Sequence, residues 1–600
     1  MAGVLEAKCK SVEECIKGKS RYRLQENKRT FGTRKQLYEY QELDGKPVLS
    51  KEGKAERWKE YIEQLYKGNE LRDDVVGREE EVDQDEIGDT ILRDEFDRAL
   101  KDLGRNKAPG VDDIPSELLK SLGEPAMTRL FELVCRMYET GEIPSDFKKN
   151  VIIPIPKKSG ADRCENYRTI SLISHGCKIL TRIIYRRMEK LVEADLGEDQ
   201  FGFRRNVGTR EAILTLRLIL EDRLRKGKPT FLAFVDLEKA FDNVDWNTLF
   251  QILKSAGVKY RERRVIYNLY KSQTAVIRLE GHEREASVGK GVRQGCSLSP
   301  MLFNLYMSRR PFSDVIQFVH EQAVKESKEK FGIGIKVQGE EIKTLRFADD
   351  IVILSETAKD LEEQLNGMDS VLKRAYKMNI NKSKTKIMEC GLRKSGDAEG
   401  IRLGNETMKV VDEFCYLGSK ITCDGRSTED IKCRMAMGRK AFLKKRNLLT
   451  SNINLSVRKS FLKAFVWSVA LYGSETWTIS SADRKRIEAF EMWCYRRMLK
   501  IRWVDRITNE EVLNRIGEKR NFWHTLTKRR DRLVGHILRH RGIVNLALEG
   551  SVWGKNRRGR PRDAYSKQIQ VDVGCRSYEE MKRLAQDRVG WRAASNQSPD

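Results

Sequence analysis

The stretch LRFADDIVIL, Leu345 to Leu354, sets two adjacent carboxylates between two apolar runs. Short apolar runs read as strands and Asp favours turns, so Asp349 and Asp350 are expected at the tip of a hairpin with buried flanks. No basic residue follows to neutralise them. A metal cation would do so if a further carboxylate joined the pair. The plain alternative is two ordinary turn residues.

The best partner is Asp236, in AFVDLEKAFDNVDW. FLAFV is a continuous apolar run, the pattern of a central strand buried on both faces, and Asp236 stands at its end. An acid leaving a buried strand must be solvated, paired or bound to a cation, because bare burial of its charge is too costly. A site with few carboxylates suits Mg²⁺, which takes one or two of them and completes its shell with substrate phosphates.

The net charge of the 600-residue chain is +26. Such an excess of Lys and Arg points to a polyanionic partner, nucleic acid foremost. The length implies two to four domains or subdomains. No run reaches the roughly 18 apolar residues of a membrane span, and the first thirty lack a signal-peptide core. Twelve cysteines without paired CxxC spacing fit free thiols in a reducing compartment. The expected setting is intracellular, nucleus or cytoplasm, as a ribonucleoprotein.

Along the chain, KAERWKEYIEQLYKG places Trp58, Tyr61, Ile62 and Leu65 on one helical face. REEEVDQDEIGD reads as a solvated linker. NVIIPIPKKSG reads as a buried strand that breaks at its prolines into a basic loop, and KILTRIIYRRMEKLVE as an amphipathic helix. GKGVRQGCSLSPMLFNLYM reads as a glycine-rich turn opening into a helix near Ser299. VVDEFCYLGSKIT reads as a short strand pair, followed by helices rich in Arg, Lys and Trp.

FVDLEKAFDNVDW, GVRQGCSLSPMLFNLY, FADDIVIL and NKSKTKIM, in this order, resemble the consecutive palm motifs of reverse transcriptases, those of non-LTR (LINE-like) retrotransposons above all. NKAPGVDDIPSELLK, NVIIPIPKKSGADRCENYRTISLI and DQFGFRRNVGTREAI resemble that family's finger motifs. The resemblance runs from about Trp58 to Trp477, and more loosely through RRDRLVGHILRH to RRGRPR.

It implies an α+β right-hand polymerase whose Asp236, Asp349 and Asp350 hold two Mg²⁺ ions, with Mn²⁺ an alternative. It implies that Phe241 crowds a ribose 2′-hydroxyl and that Gln294 and Gly295 pack against template and incoming nucleotide. Lys157, Lys158 and Arg168 would grip the triphosphate or template, and Lys384 would protonate the leaving pyrophosphate. The implied reaction is DNA synthesis on an RNA template from a DNA primer and dNTPs. For Phe241 the plain role is a core aromatic, and for the lysines and arginine a solvated basic surface.

The chain departs from that family in places. Thr169 stands where proline is usual, and RRP at 309–311 interrupts an expected helix. The family's endonuclease is not expected here, nor its Cys/His knuckle, since Cys415, Cys423 and Cys433 lack a fitting fourth ligand. KNRRGRPR resembles an AT-hook core, in which Arg558, Arg560 and Arg562 would enter a minor groove; an import signal or nonspecific basic patch fits as well. Trp493, Tyr495, Trp503 and Trp523 could stack on bases, but on helices each is expected in a core.

The expected division is an N-terminal helical extension to residue 85, fingers and palm over 86–390, a thumb over 391–480, and a basic, mostly helical C-terminal region over 481–600. Two rival readings remain. One is a catalytically inactive nucleic-acid-binding relic of such an element. The other is a polymerase of the same fold, an intron maturase or an RNA-synthesising enzyme, and Phe241 argues against RNA synthesis.

Overall fold

The strands Thr230–Val235 and Asp350–Ser355 pair antiparallel, with Ile351 opposite Val235 and Ser355 opposite Phe231. All six residues of the first are buried. They divide by parity: Phe231, Ala233 and Val235 enter one apolar core, while Leu232 and Phe234 enter a second on the opposite face. A period-two strand with both faces covered has no polar position, which is why FLAFV is unbroken.

The computed structural model describes residues 50–77, 79–157, 160–279, 281–308, 334–391, 396–556 and 564–596, with the short pair 40–41 and 47–48. Lys158, the RRP at 309–311 and the arginines Arg558, Arg560 and Arg562 lie outside the described residues.

The chain lays down two sheets in alternation. β1 (Lys149–Pro156) and β2 (Tyr167–Leu172) begin the outer sheet, and β3 (Thr230–Val235) begins the central one. β4 (Thr274–Leu279) and β5 (His282–Ser287) return to the outer sheet. β6 (Thr344–Phe347), β7 (Asp350–Ser355) and β8 (Lys386–Cys390) complete the central sheet, with β9 (Lys409–Val410) at its edge. The outer order is β2-β1-β4-β5 and the central order β6-β7-β3-β8-β9.

One expectation is corrected here. β1 does not break at its prolines but runs through Pro154 and Pro156, which face Thr169 and Tyr167 of β2. β4 pairs only with residues 149–152 of β1. The prolines therefore sit where β1 has a single neighbour, and their missing N–H groups cost no ladder bond on the open side.

Helices cover both sheets. α1 (Lys51–Leu65) buries Trp58, Tyr61, Ile62 and Leu65, the expected face, and packs on β4 and β5 of the outer sheet. Ser50 caps it by accepting from Gly53 N–H. α2 (His175–Asp195) is the amphipathic helix read from KILTRIIYRRMEKLVE. α3 (Thr209–Arg225) lies on the second-core face of the central sheet, and α4 (Ser299–Ser308) and α5 (Ala358–Tyr376) lie on the first-core face.

Beyond β9, a strand pair (Glu413–Tyr416 with Ser419–Thr422) leads into α6 (Thr428–Lys444) and α7 (Ser481–Met498). These two helices surround a third core that includes Trp467, Trp477 and Phe490. α8 (Asn521–Leu538) and α9 (Arg588–Asn596) follow. The C-terminal half of α8 shares the second core with the central sheet, through Leu533, Val534 and Ile537.

A buried ionic hub ties α3 to α6. The Asp430 carboxylate accepts from the Arg217 guanidinium at 3.0 Å, the Lys420 N–H at 3.0 Å and the Trp477 indole N–H at 2.8 Å. Its remaining lone pairs are thus used, as a buried charge requires. Among the described residues no helix is long and apolar enough to cross a membrane.

The core reading of the tryptophan-rich helices holds for Tyr495, which is buried, and Trp493 and Trp523 pack half-buried against the third core. It fails for Trp503, which is 95% exposed. That residue sits in a short turn after α7 rather than on a helix face.

Candidate active site

The acids come together because two strands end side by side. Asp236 follows β3 directly, and the register that pairs Val235 with Ile351 sets Asp350, the first residue of β7, beside it. Phe347 pairs with Asp350, leaving Ala348 and Asp349 as a two-residue turn. Such hairpins favour φ > 0 at the first turn position to match the strand twist, normally with glycine. Ala348 takes φ 57° there, a conformation that costs a non-glycine residue roughly 1–2 kcal/mol.

The segment before α3 holds that turn in place. The Gln200 side-chain oxygen accepts from Ala348 N–H at 3.1 Å and from Gly202 N–H at 2.9 Å. Phe201 N–H donates to the Arg346 carbonyl at 2.7 Å. The Arg346 guanidinium donates to both Asp199 oxygens at 2.8 and 2.6 Å, a bidentate grip. Asn304 of α4 donates to the Gly202 carbonyl at 2.7 Å. A Cβ on Gly202 would collide with the backbone of Ala348. The motif DQFGF was legible in the sequence, but the roles of Asp199, Gln200 and Gly202 as the hairpin's support were not.

The three carboxylates crowd one another. Lost hydration, then the charges of Asp349 and Asp236, push Asp350 up to about 6. Asp349 is raised as well, first by burial and then by Asp236. This is uncompensated negative charge of the kind a cation would relieve. Among the described residues no three His, Cys, Asp or Glu side chains form a ready-made metal cage, and none of the cysteines or histidines builds a zinc site. An oxygen-only set that leaves positions for substrate phosphates is the kind Mg²⁺-type ions use, so the residues present fit a divalent cation.

Lys384 reaches the cluster from the loop before β8. Its ammonium donates to Asp236 Oδ2 at 3.0 Å. The loop is clasped to the strand end by Asn381 N–H on the Asp236 carbonyl at 2.8 Å and Glu238 N–H on Asn379 at 3.0 Å. Lys157 lies at the end of β1, donating to the Glu165 carbonyl at 2.8 Å. Burial, then the charges of Lys384 and Lys239, hold its ammonium below the usual lysine range. Arg168 on β2 is exposed and pairs across from Ile155. Lys384 and Arg168 thus set positive charge beside the acidic cluster, and Lys157 lies close to both.

Phe241 is half-buried in the turn after β3, stacked on Phe303 at 4.4 Å and edge-on to Phe203 at 6.2 Å. Its neighbour Asp242, not singled out in the sequence, is the fastener of this region. It accepts from the Tyr66 hydroxyl at 2.8 Å and from the Gln294 side-chain amide at 3.1 Å. Burial raises its carboxyl, and these two bonds oppose the rise. Gln294 also accepts from Ser171 N–H through its carbonyl at 2.8 Å. Gly295 follows at φ 129°, where a Cβ would collide with the Ser171 carbonyl. Thr169, where the family usually has proline, is buried with its hydroxyl 3.3 Å from that of Tyr66. No signal in Asp242 itself announces the Tyr66 contact, since the two lie 176 residues apart.

Residues 155–421 match the family described as reverse transcriptase (RNA-dependent DNA polymerase). The chain carries a reverse transcriptase domain. Every acidic and basic residue placed above around the cluster lies within that span. Its fold class is that of a right-hand polymerase. Reverse transcriptases work with divalent metal ions.

Its relatives belong to non-LTR retrotransposons. The chain is 25% identical over 389 residues to the Pol polyprotein of the type-2 retrotransposable element R2DM of Drosophila melanogaster, covering 63% of this chain and 35% of that protein. It is 23% identical over 458 residues to the RNA-directed DNA polymerase from the mobile element jockey of the same fly, covering 72% and 46%. The chain therefore spans about a third to a half of the length of these curated relatives. Among solved structures it is similar to apo telomerase from Candida tropicalis, at TM-score 0.34 and 12% identity, covering 72% of this chain and 74% of that one.

Proposed function

We propose that this chain extends a DNA primer along an RNA template, as the polymerase of a non-LTR retrotransposon. The observation that carries this reading is the meeting of Asp236, Asp349 and Asp350 at adjacent strand ends, with Lys384 paired to Asp236 and the charges of Lys157 and Arg168 close by. The carboxylates alone would suit many metal sites. With cations beside them, they suit a substrate that brings its own phosphates.

Asp236, Asp349 and Asp350 would hold two divalent ions, Mg²⁺ by preference with Mn²⁺ tolerated, which supply charge stabilisation to the attacking and leaving oxygens of phosphoryl transfer. Lys157 and Arg168 bind and orient the triphosphate of the incoming dNTP. Phe241, braced by Phe303, excludes a ribose 2′-hydroxyl. The loop at Gln294 and Gly295 presents backbone to template and nucleotide, and Asp242 keeps it closed. Lys384 carries a proton beside the departing pyrophosphate. Lys158 and the arginines Arg558, Arg560 and Arg562 keep their proposed nucleic-acid roles on sequence grounds.

Primer extension on an RNA template with Mg²⁺ and dNTPs tests this, with Asp349→Ala and Asp350→Ala as the control. Extension by the native chain alone supports the reading. Salt-sensitive RNA binding with no extension by either would leave a binding protein.

A further inference from the structure

A second cluster of charge lies away from the carboxylates, in a cavity of about 760 Å³ between α8, α9 and the loop leading into α3. Lys528, Arg532 and His536 line it from α8, Arg539 from the cap just past its end, and Arg588 and Arg592 from α9. The spacings are helical: Arg532 follows Lys528 by one turn, and Arg592 follows Arg588 by one turn, so each helix presents a basic ridge. Among the described residues the side chains of Lys528, Arg532, Arg588 and Arg592 form no hydrogen bond or ion pair. The acidic group on the wall, Glu211, is 3% exposed and stands 3.6 Å from Arg210.

Like charges that outnumber the single acid beside them are unfavourable in the free protein. The strain registers on their neighbours. Burial, then Arg588 and Arg592, hold the Arg539 guanidinium below the ordinary arginine range. Folding nevertheless fixes this arrangement, because α8 and α9 are locked by apolar packing and by the Trp591 indole N–H on the Asp531 carbonyl at 2.9 Å. An anionic partner would recover that cost.

We infer that this cavity is a second nucleic-acid site, gripping the phosphodiester backbone of a strand outside the polymerase centre. The shape favours a strand over a small anion. From Lys528 to Arg539 the ridge is about 16 Å long, long enough to face more than one phosphate of a strand. The loop between links the two sites: Gln200 holds the aspartate hairpin, and six residues on, the Asn206 carbonyl lies 3.0 Å from His536 Nε2. The same loop thus touches both sites.

The test is binding by the full chain, measured against salt for a short single-stranded RNA, an RNA–DNA hybrid and inorganic pyrophosphate. The triple variant R532Q/R588Q/R592Q is compared with K67Q/K101Q/K254Q, which removes three exposed lysines elsewhere. The cavity variant is expected to flatten the log–log salt slope by about 2 for the single strand and about 3 for the hybrid, and to weaken binding about tenfold or more. The lysine control should change far less. Equal losses in both variants would overturn the site, as would loss of pyrophosphate binding with nucleic-acid slopes unchanged. Hydrogen exchange on the native chain gives a readout free of folding defects. RNA should protect residues 206–212 and 588–596, and no protection there would also overturn it.

Discussion

The ammonium of Lys384 lies 3.0 Å from Oδ2 of Asp236. A carboxylate read from the sequence as a metal ligand thus has a lysine as its counter-charge, and that lysine is itself read as a proton donor. The side chains are 34% and 65% exposed, and exposed pairs of this kind contribute at most about 1 kcal/mol. A divalent ion outcompetes such a pair easily. Lys384 would then be free to meet the leaving group.

Lys384→Ala is therefore expected to act in two directions. The Mg²⁺ concentration for half-maximal incorporation should fall, because a competing cation is gone. The single-turnover rate at saturating Mg²⁺ should drop about a hundredfold, the ordinary scale of proton-transfer catalysis. An unchanged metal requirement would mean that the ion pair plays no part.

The raised Asp350 carboxyl gives a pH dependence. With a folded value of about 6 against an ordinary 3.8, the folded state holds this proton more tightly than the unfolded chain. Stability should fall as pH rises from about 4 to about 6 and level off above. Mg²⁺ should restore more stability above pH 6 than below it, since it binds the ionised form. Unfolding midpoints across this window check the sign. Asp350→Asn should flatten the profile, and parallel curves for variant and native chain would refute the assignment.

Gly202 tests the support of the hairpin. Gly202→Ala forces a Cβ into the backbone of Ala348, an overpacking that costs about 1–3 kcal/mol. Primer extension should fall with the unfolding midpoint. Ala348→Gly should change stability by less than about 1 kcal/mol, because relief of the positive φ is offset by a freer unfolded chain.

Phe241→Val should admit ribonucleotides. The discrimination between dNTP and rNTP, measured as a ratio of kcat/KM values, is expected to narrow about tenfold to a hundredfold. An unchanged ratio would leave Phe241 as a core aromatic, held by Phe303 alone.

Asp430→Ala would strand the Arg217 guanidinium in a buried setting, where the two side chains are 8% and 1% exposed. Breaking a buried pair from one side costs about 3–5 kcal/mol. The unfolding midpoint should drop accordingly, with Asp349→Asn as a comparison that leaves stability nearly unchanged while removing activity. The expected loss there is about 10³-fold, from several kcal/mol of charge stabilisation.

The sequence by itself determined the elements that rest on local pattern. FLAFV read as a strand covered on both faces, LRFADDIVIL as a hairpin and KILTRIIYRRMEKLVE as an amphipathic helix, because local pattern carries each of these burial schemes. That Asp236 would meet Asp349 and Asp350 was expected from acids at the ends of buried strands together with the neighbouring motifs, and the strand register brings the three together. Where local reading failed, at Pro154 and Pro156, the missing fact was which side of β1 had a neighbour. Only the tertiary structure decided that.

It alone also decided which distant residues meet. Tyr66 reaches Asp242 across 176 residues, Lys384 reaches Asp236 across 148, and the loop at Asn206 meets His536 across 330. No periodicity encodes such pairs. They follow from sheet order and from two cores packed on opposite faces of one sheet, which carry each side chain to its partner after the local elements have formed.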